Sequence, residues 1–405
     1  MTDLTIQRLG HLGDGIAEGP VFVPRTLPGE QVSGEVEGDR MPSPRIERPS
    51  ADRVAPPCRH YKSCGGCDLQ HASDDFVAEW KQEVVRQALA AHGLEAPLRP
   101  ILTSPPNSRR RATFSAKRTK QGALVGFHAR ASATIIEIPD CRILHPDLLA
   151  LRPGIAELAV IGASRKGEIS VAVTLSEAGP DVSVREGKPL DGPLELRLAQ
   201  ETERLGLARL TWNGEVIAMR HPPAQRFGRT QVVPPPGAFL QATPEGEAAL
   251  RAAVLEAVDG AKRVVDLFAG CGTFSLPLAE GADVLAVEGD AEMMRALDTG
   301  WRRGRDLHQL STETRDLFRV PLRPDELSRF DAAVLDPPRA GAEAQVAELA
   351  EAGVPRIAYA SCNPVTFARD VARLARAGYA LDWVQVVDQF RWSPHVELCA
   401  ALHRA

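Results

Sequence analysis

Cys362 lies in Tyr359-Ala360-Ser361-Cys362-Asn363-Pro364, a polar, proline-closed turn that follows the short apolar run Arg356-Ile357-Ala358-Tyr359. Ser, Asn and Pro mark a loop, whereas a packing cysteine sits among apolar neighbours on a helix or strand face. The thiol is therefore set up for nucleophilic attack, with an inert loop cysteine as the bland alternative. Glu397, at the start of the last strand-like run in His395-Val396-Glu397-Leu398-Cys399-Ala400, offers a carboxylate base. A thiol and a carboxylate together suit alkylation of a pyrimidine carbon. C5 of uracil is a poor nucleophile until a thiolate adds at C6, and the C5 proton must then be removed.

A second set of thiols is bunched. Cys58, Cys64 and Cys67 have the spacing C-x5-C-x2-C, with Gly65-Gly66 between the last two, and Cys141 follows much later as a candidate fourth ligand. Four-cysteine sets hold tetrahedral zinc or an iron–sulfur cluster. One C-x2-C pair with a distant thiol leans toward the cluster, against reduced cysteines with no ligand role. Seven cysteines, so unevenly placed, argue for metal ligation over disulfides in a reducing compartment. Cys271 and Cys399 read as packing residues.

These groups need a scaffold, and the C-terminal third supplies its pattern. Arg263-Val264-Val265-Asp266-Leu267 is an apolar strand with an acidic residue near its end, followed by the turn Phe268-Ala269-Gly270-Cys271-Gly272-Thr273 and a helix start. Asp283 to Val287 repeats the strand and ends in Glu288, and Ala332 to Leu335 ends in Asp336-Pro337-Pro338-Arg339. Alternating strands and helices predict a doubly wound, Rossmann-like α/β domain whose ligand lies at the strand C-termini. Asp266, Gly270 and Gly272 are candidate cofactor contacts, the glycines because they let the backbone approach that ligand, and Glu288 can accept from both ribose hydroxyls. Ser275 stands where a dinucleotide fingerprint has its third glycine, which favours S-adenosylmethionine over a dinucleotide. In a parallel sheet, Cys362 would end the next strand on the same edge. Arg339, where amine-methylating enzymes place an aromatic, favours a covalent adduct.

The chain has 405 residues, 44% apolar and 25% charged, so two or three soluble domains are expected. Its start lacks a signal-peptide pattern and no apolar run reaches a membrane span, so a cytoplasmic protein without membrane contact is expected; a monomer is the separate expectation for its assembly. A net charge of −5 leaves nucleic-acid binding to local patches. One such patch is Arg109, Arg110, Arg111, Lys117, Arg118 and Lys120, a candidate phosphate-contacting surface whose alternative is a solvated strand edge. Residues 1–52 predict a small OB-like β-barrel. Residues 53–235 predict a mixed α/β central domain carrying the four cysteines, with a helix over 74–92 that docks on a neighbour and another near 146–160. Residues 236–405 form the methyl-donor domain, entered through a Pro-rich linker at Val232 to Gly237.

Asp266-Leu-Phe-Ala-Gly-Cys-Gly-Thr-Phe274, Asp336-Pro-Pro-Arg-Ala-Gly341, Ser361-Cys-Asn-Pro364 and His395-Val-Glu397, in this order after Phe239-Leu240-Gln241, resemble the bacterial RNA uracil-5 methyltransferase family. The cysteine set matches too, and Val23-Pro-Arg-Thr-Leu-Pro-Gly-Glu30 resembles a TRAM domain. The resemblance implies Cys362 as nucleophile, Glu397 as C5 base, and Cys58, Cys64, Cys67 and Cys141 as [4Fe-4S] ligands. It implies an S-adenosylmethionine pocket of Gln241, Phe268, Thr273, Glu288, Asp316 and Asp336, with Asp336 also reaching the uracil. In family members with both cluster and TRAM domain the usual target is 23S ribosomal RNA. Other readings are a cytosine-5 or tRNA-directed enzyme, or an inert iron–sulfur RNA-binding protein. A departure from the family is Arg295-Ala-Leu-Asp-Thr-Gly-Trp301, where Asn-rich sequence is common.

Overall fold

The computed structural model describes residues 1–165 and 167–405. Among these residues the strands form sheets of five, seven and eight strands and one separate hairpin. The five-stranded antiparallel sheet spans Thr2 to Arg48 and closes over Ile6, Ala17, Val23, Val32 and Met41. At its edge Glu30, fully withdrawn from water, accepts from the Arg53 guanidinium (Nη2, 2.8 Å) and from the Leu27 N–H (2.9 Å). That pair ties the sheet to the segment leading into the cysteines.

The seven-stranded sheet runs between Arg111 and Met219 and is joined by helices Pro146–Ala150, Arg152–Gly162 and Gly192–Arg204. Its core holds Phe114, Leu158, Val171 and Trp212. The helix expected near 146–160 is thus two helices, with Pro153 at the start of the second.

The eight-stranded sheet carries the strand ends that matter here. Its members are β1 (Leu98–Thr103), β2 (Arg263–Leu267), β3 (Asp283–Glu288), β4 (Leu310–Thr314), β5 (Ala332–Leu335), β6 (Arg356–Ser361), β7 (Tyr379–Asp388) and β8 (Glu397–Arg404). They lie in the order β4-β3-β2-β5-β6-β8-β7-β1. β2 to β6 are mutually parallel, and β5 is buried at every position, as expected of a strand covered on both faces. The strand order reverses between β2 and β5, which opens a crevice outside their C-terminal ends.

Two expectations need correction. The sheet is not parallel throughout, because β8 runs antiparallel to both β6 and β7. The central domain is not a continuous 53–235 block either. β1 pairs with β7 in the last sheet; helix α1 (Asp74–Ala90) packs on β1, β7 and the helix after Cys362, which is the docking expected of the helix over 74–92. The cause lies in α1 itself: Ser73 Oγ caps it from the Phe76 N–H (3.2 Å), and Val77, Trp80, Val85 and Leu89 form a buried stripe. Such a stripe must be covered by another apolar surface. Lys81 is wholly buried and its ammonium meets Asp388 at 2.6 Å, at the end of β7.

At the other boundary, the hairpin Gln225–Val232 already belongs to the last core, where Phe227 and Val232 are buried. It lies on helix α2 (Ala291–Arg303), which follows β3. A Cβ on Gly300 would come within 2.7 Å of Val232 Cγ2 and 3.1 Å of the Gln231 carbonyl. The unusual Arg295–Trp301 stretch is therefore where a helical glycine admits the hairpin.

Candidate active site

Antiparallel pairing sets Ser361 opposite Leu398. One step further along the same register, Cys362 leaves β6 beside Glu397 at the start of β8. The reversal of β8 is what brings thiol and carboxylate to one sheet end. Both border a crevice of about 360 Å³ together with Gly65, Arg109, Arg111, Phe239, Arg339, Phe390 and His395.

Electrostatics couple the three acidic groups. Burial, with Glu288 nearby, pushes the Asp336 carboxyl up to about 7. Glu397, only 4% exposed, is pushed up to about 8 by burial and by Asp336, against the influence of Gln389, Arg111 and Arg339. Burial, Glu397 and Asp336 push the Cys362 thiol up to about 11, and Arg339 opposes them. Asn363 caps helix α3 (Pro364–Arg376) by accepting the Val365 N–H (3.1 Å), so Cys362 also stands at a helix N-terminus that favours a thiolate. Arg339 Nη2 lies 3.1 Å from His395 Nδ1, and burial with Arg339 beside it pulls His395 down to about 4. That imidazole is neutral, so it holds the guanidinium in place without cancelling its charge.

The expected cofactor residues separate into two groups. Phe268, Gly270, Gly272, Thr273 and Glu288 gather at the ends of β2 and β3. Phe268, Gly270 and Gly272 all have positive φ (64°, 55° and 93°). A Cβ on Gly272 would meet Leu297 Cδ1 at 2.3 Å, so this turn needs glycine for close helix approach as well as conformation. Glu288 accepts the Gly270 N–H (3.2 Å) on one oxygen and the Asp290 N–H (3.1 Å) on the other. Lone pairs remain on both oxygens for a ribose. Asp316 is exposed and accepts the Phe318 N–H (3.0 Å), which sets the Phe318 ring 5.4 Å from Phe268. Gln241 lies 3.5 Å from Asp336 through its amide nitrogen. Asp266 is fully buried; its Oδ2 takes the Ser275 hydroxyl at 2.5 Å, while its Oδ1 has no hydrogen-bond partner among the described residues. It anchors the helix start beneath the turn.

The cysteines adjoin this site. Cys58, Cys64, Cys67 and Cys141 line one cavity of about 350 Å³, whose wall of Gly65, Gly66 and Arg109 also borders the catalytic crevice. Among the described residues no three His, Cys, Asp or Glu side chains converge at single-ion spacing. Four thiols around a shared cavity suit a multinuclear group better than one zinc ion, and Arg109 offers a positive partner to its negative charge. Cys271 and Cys399 are buried, as packing residues should be.

The basic run divides three ways. Arg109 stands between the two cavities, 5.8 Å from the Phe390 ring, and Arg111 stacks over Phe239 at 4.2 Å. Arg110 is not available to a phosphate: it pairs with Glu247 (2.5 Å), and its Nε donates to the Gln241 carbonyl (3.2 Å). Lys117, Arg118 and Lys120 lie at the far end of the same strand and its turn.

The model of the family described as tRNA (Uracil-5-)-methyltransferase matches residues 304–405. An uncharacterized RNA methyltransferase of Brucella suis biovar 1 is 42% identical, with 98% of this chain and 97% of that protein covered. The 23S rRNA (uracil(1939)-C(5))-methyltransferase RlmD of Halomonas elongata is 36% identical over 98% of this chain and 88% of its own length. The chain belongs to the RNA uracil-5 methyltransferase family. The crystal structure of Pyrococcus abyssi tRNA (uracil-54, C5)-methyltransferase in complex with S-adenosyl-L-homocysteine has the same fold, with a TM-score of 0.76, 23% identity and 99% of each chain covered.

Within that family framework, some residues at or beside the crevice escaped the sequence reading. Phe390, which lines it, and Gln389, which lies beside it, come from the loop between β7 and β8, as does His395 of the His-Val-Glu motif. That loop is held from outside the sheet: the Asp68 and Leu69 N–H groups donate to the Trp392 carbonyl (2.9 and 3.0 Å), and Asp74 pairs with Arg391. A buried glutamine just after an apolar strand was the only available signal.

Proposed function

We propose that this enzyme methylates C5 of a uridine in RNA through a covalent adduct at C6, with Cys362 as nucleophile and Glu397 as base. The observation that carries the reading is the Cys362–Glu397 juxtaposition, created by antiparallel β6 and β8 beside Asp336. The Cys362 thiolate adds to C6, forming the S–C6 bond and an enolate with electron density at C5. C5 then takes the methyl group, the methyl–sulfur bond of the donor breaking to leave a neutral thioether. Glu397 removes the C5 proton, the C5–C6 double bond re-forms, and the S–C6 bond breaks to return the thiolate. Bound S-adenosylmethionine supplies the electrophilic methyl and a sulfonium charge that favours ionised carboxylates nearby.

Gln241, Phe268, Gly270, Gly272, Thr273, Glu288, Asp316 and Asp336 are the proposed cofactor contacts, and Asp336 faces both cofactor and uracil. Cys58, Cys64, Cys67 and Cys141 are the proposed [4Fe-4S] ligands, the shared cavity being the support for that assignment. Iron and acid-labile sulfide analysis of protein purified without air checks it, with four of each per chain expected.

Ribosomal RNA is the proposed target, supported by the Halomonas elongata relative, and the N-terminal sheet is read as a TRAM-like RNA-binding module. A cytosine-5 reading is disfavoured because the Asp336-Pro337-Pro338 motif carries no second cysteine. Mapping 5-methyluridine by mass in ribosomal and transfer RNA, with and without this protein, identifies the target. Cys362→Ala is expected to abolish methyl transfer and leave S-adenosylmethionine binding within about threefold; measurable turnover by this variant would refute the covalent mechanism.

A further inference from the structure

The loop between β7 and β8 holds one amide that no part of the mechanism above uses. Gln389 is 2% exposed, and its two ends have defined partners. Its Oε1 accepts the Ala242 N–H at 2.7 Å, which leaves no choice of amide orientation, because a backbone N–H cannot be matched to an NH2 group. Its Nε2 therefore carries two protons. One goes to Gln241 Oε1 at 2.6 Å; Val387 is the register partner of Glu397, so Gln389 follows two residues on, and its side-chain hydrogen bond opposes the upward shift of the Glu397 carboxyl. With Gln241 Oε1 occupied, the Gln241 amide nitrogen is turned toward Asp336. Room for Gln389 is built in: a Cβ on Gly246, in the first turn of helix Pro244–Ala257, would lie 2.6 Å from Gln389 Cβ.

We propose that Gln389 is a positioning residue for the proton-removal step, donating one amide proton to Glu397 while its other fixes the orientation of Gln241 beside Asp336. The proposal rests on Glu397 being the C5 base. A donated hydrogen bond stabilises the carboxylate and aims its free oxygen at C5. Without it the base is more basic but largely protonated at neutral pH, in a site that already disfavours its charge.

The test uses unmodified 23S ribosomal RNA transcripts with tritium at uridine C5 and the full-length protein. Tritium release reports the last step, and methyl label in a denaturant-resistant protein–RNA complex reports the earlier ones. Gln389→Met keeps the volume, and Gln389→Glu keeps the shape but loses both amide protons. Both are expected to retain methyl incorporation into the covalent complex. Release should slow about tenfold to hundredfold, with its rate–pH curve displaced to higher pH. Glu397→Gln should trap the complex outright. If the two Gln389 variants release tritium at the wild-type rate and pH dependence while Glu397→Gln traps, the positioning role is overturned and the base assignment stands. If Glu397→Gln does not trap, the base assignment fails and the positioning role fails with it.

Discussion

At the scale of single residues, the site is a cluster of acids held short of ionisation. Burial and mutual repulsion push Asp336 up to about 7, Glu397 up to about 8 and Cys362 up to about 11, while Arg339 favours the thiolate. Arg339→Gln should therefore raise the thiol pKa further. Iodoacetamide alkylation of Cys362, followed by peptide mass analysis against pH, should show a curve displaced to higher pH by about one unit. The same cluster makes ligand-free stability depend on pH. Asp336 has a folded pKa above its unfolded one, so its contribution is complete below about 4 and is lost as pH rises through about 7. Asp336→Asn mimics the protonated form. Thermal unfolding should show the variant gaining on the wild type between pH 4 and pH 7, at a rate bounded by ~1.4 kcal/mol per pKa unit. Equal pH slopes for the two proteins would contradict the shift.

Among the elements, the important step is the reversal of β8, and its connection to β7 is fixed from a distance in sequence. Lys81 on α1 and Asp388 at the end of β7 are both almost inaccessible, and the Lys81 ammonium also reaches the Phe390 carbonyl at 3.2 Å. Breaking a buried pair strands the other charge, at a cost of ~3–5 kcal/mol, whereas replacing both with apolar groups is often nearly neutral. Lys81→Met should thus lower the urea midpoint sharply, and Lys81→Met with Asp388→Leu should recover most of it. A single variant as stable as wild type would remove the pair from the account. The motifs Asp-Leu-Phe-Ala-Gly-Cys-Gly, Asp-Pro-Pro and Ser-Cys-Asn-Pro were legible because each is local: strand, turn and helix start are contiguous. The clamp on β7 was not, because its partners are 307 residues apart.

Over the whole molecule, the seven-stranded and eight-stranded sheets meet at the crevice. The cysteine cavity and the catalytic crevice share the wall formed by Gly65, Gly66 and Arg109. The RNA path is tested by charge: Lys117, Arg118 and Lys120, at the far end of their strand from Arg111, should contact phosphates distant from the reacting base. Replacing all three with alanine should flatten the logarithmic salt dependence of RNA binding by about 2, given ~0.7 per single-strand phosphate. An unchanged slope would restore the solvated-edge reading. Arg110→Ala should instead lower stability, since its partner Glu247 is only 5% exposed in its side chain.

The sequence by itself determined the residue chemistry: a thiol in a polar turn, carboxylates at strand ends, glycines in the cofactor turn and a bunched cysteine set. Side-chain type and near-neighbour spacing suffice for those. Only the tertiary structure decided which groups meet. Strand direction turned Glu397 toward Cys362, the Asp266 carboxylate was buried against the Ser275 hydroxyl, and one of three consecutive arginines was taken up by Glu247. Each of these outcomes depends on packing between segments far apart in the chain, and local pattern carries no information about that.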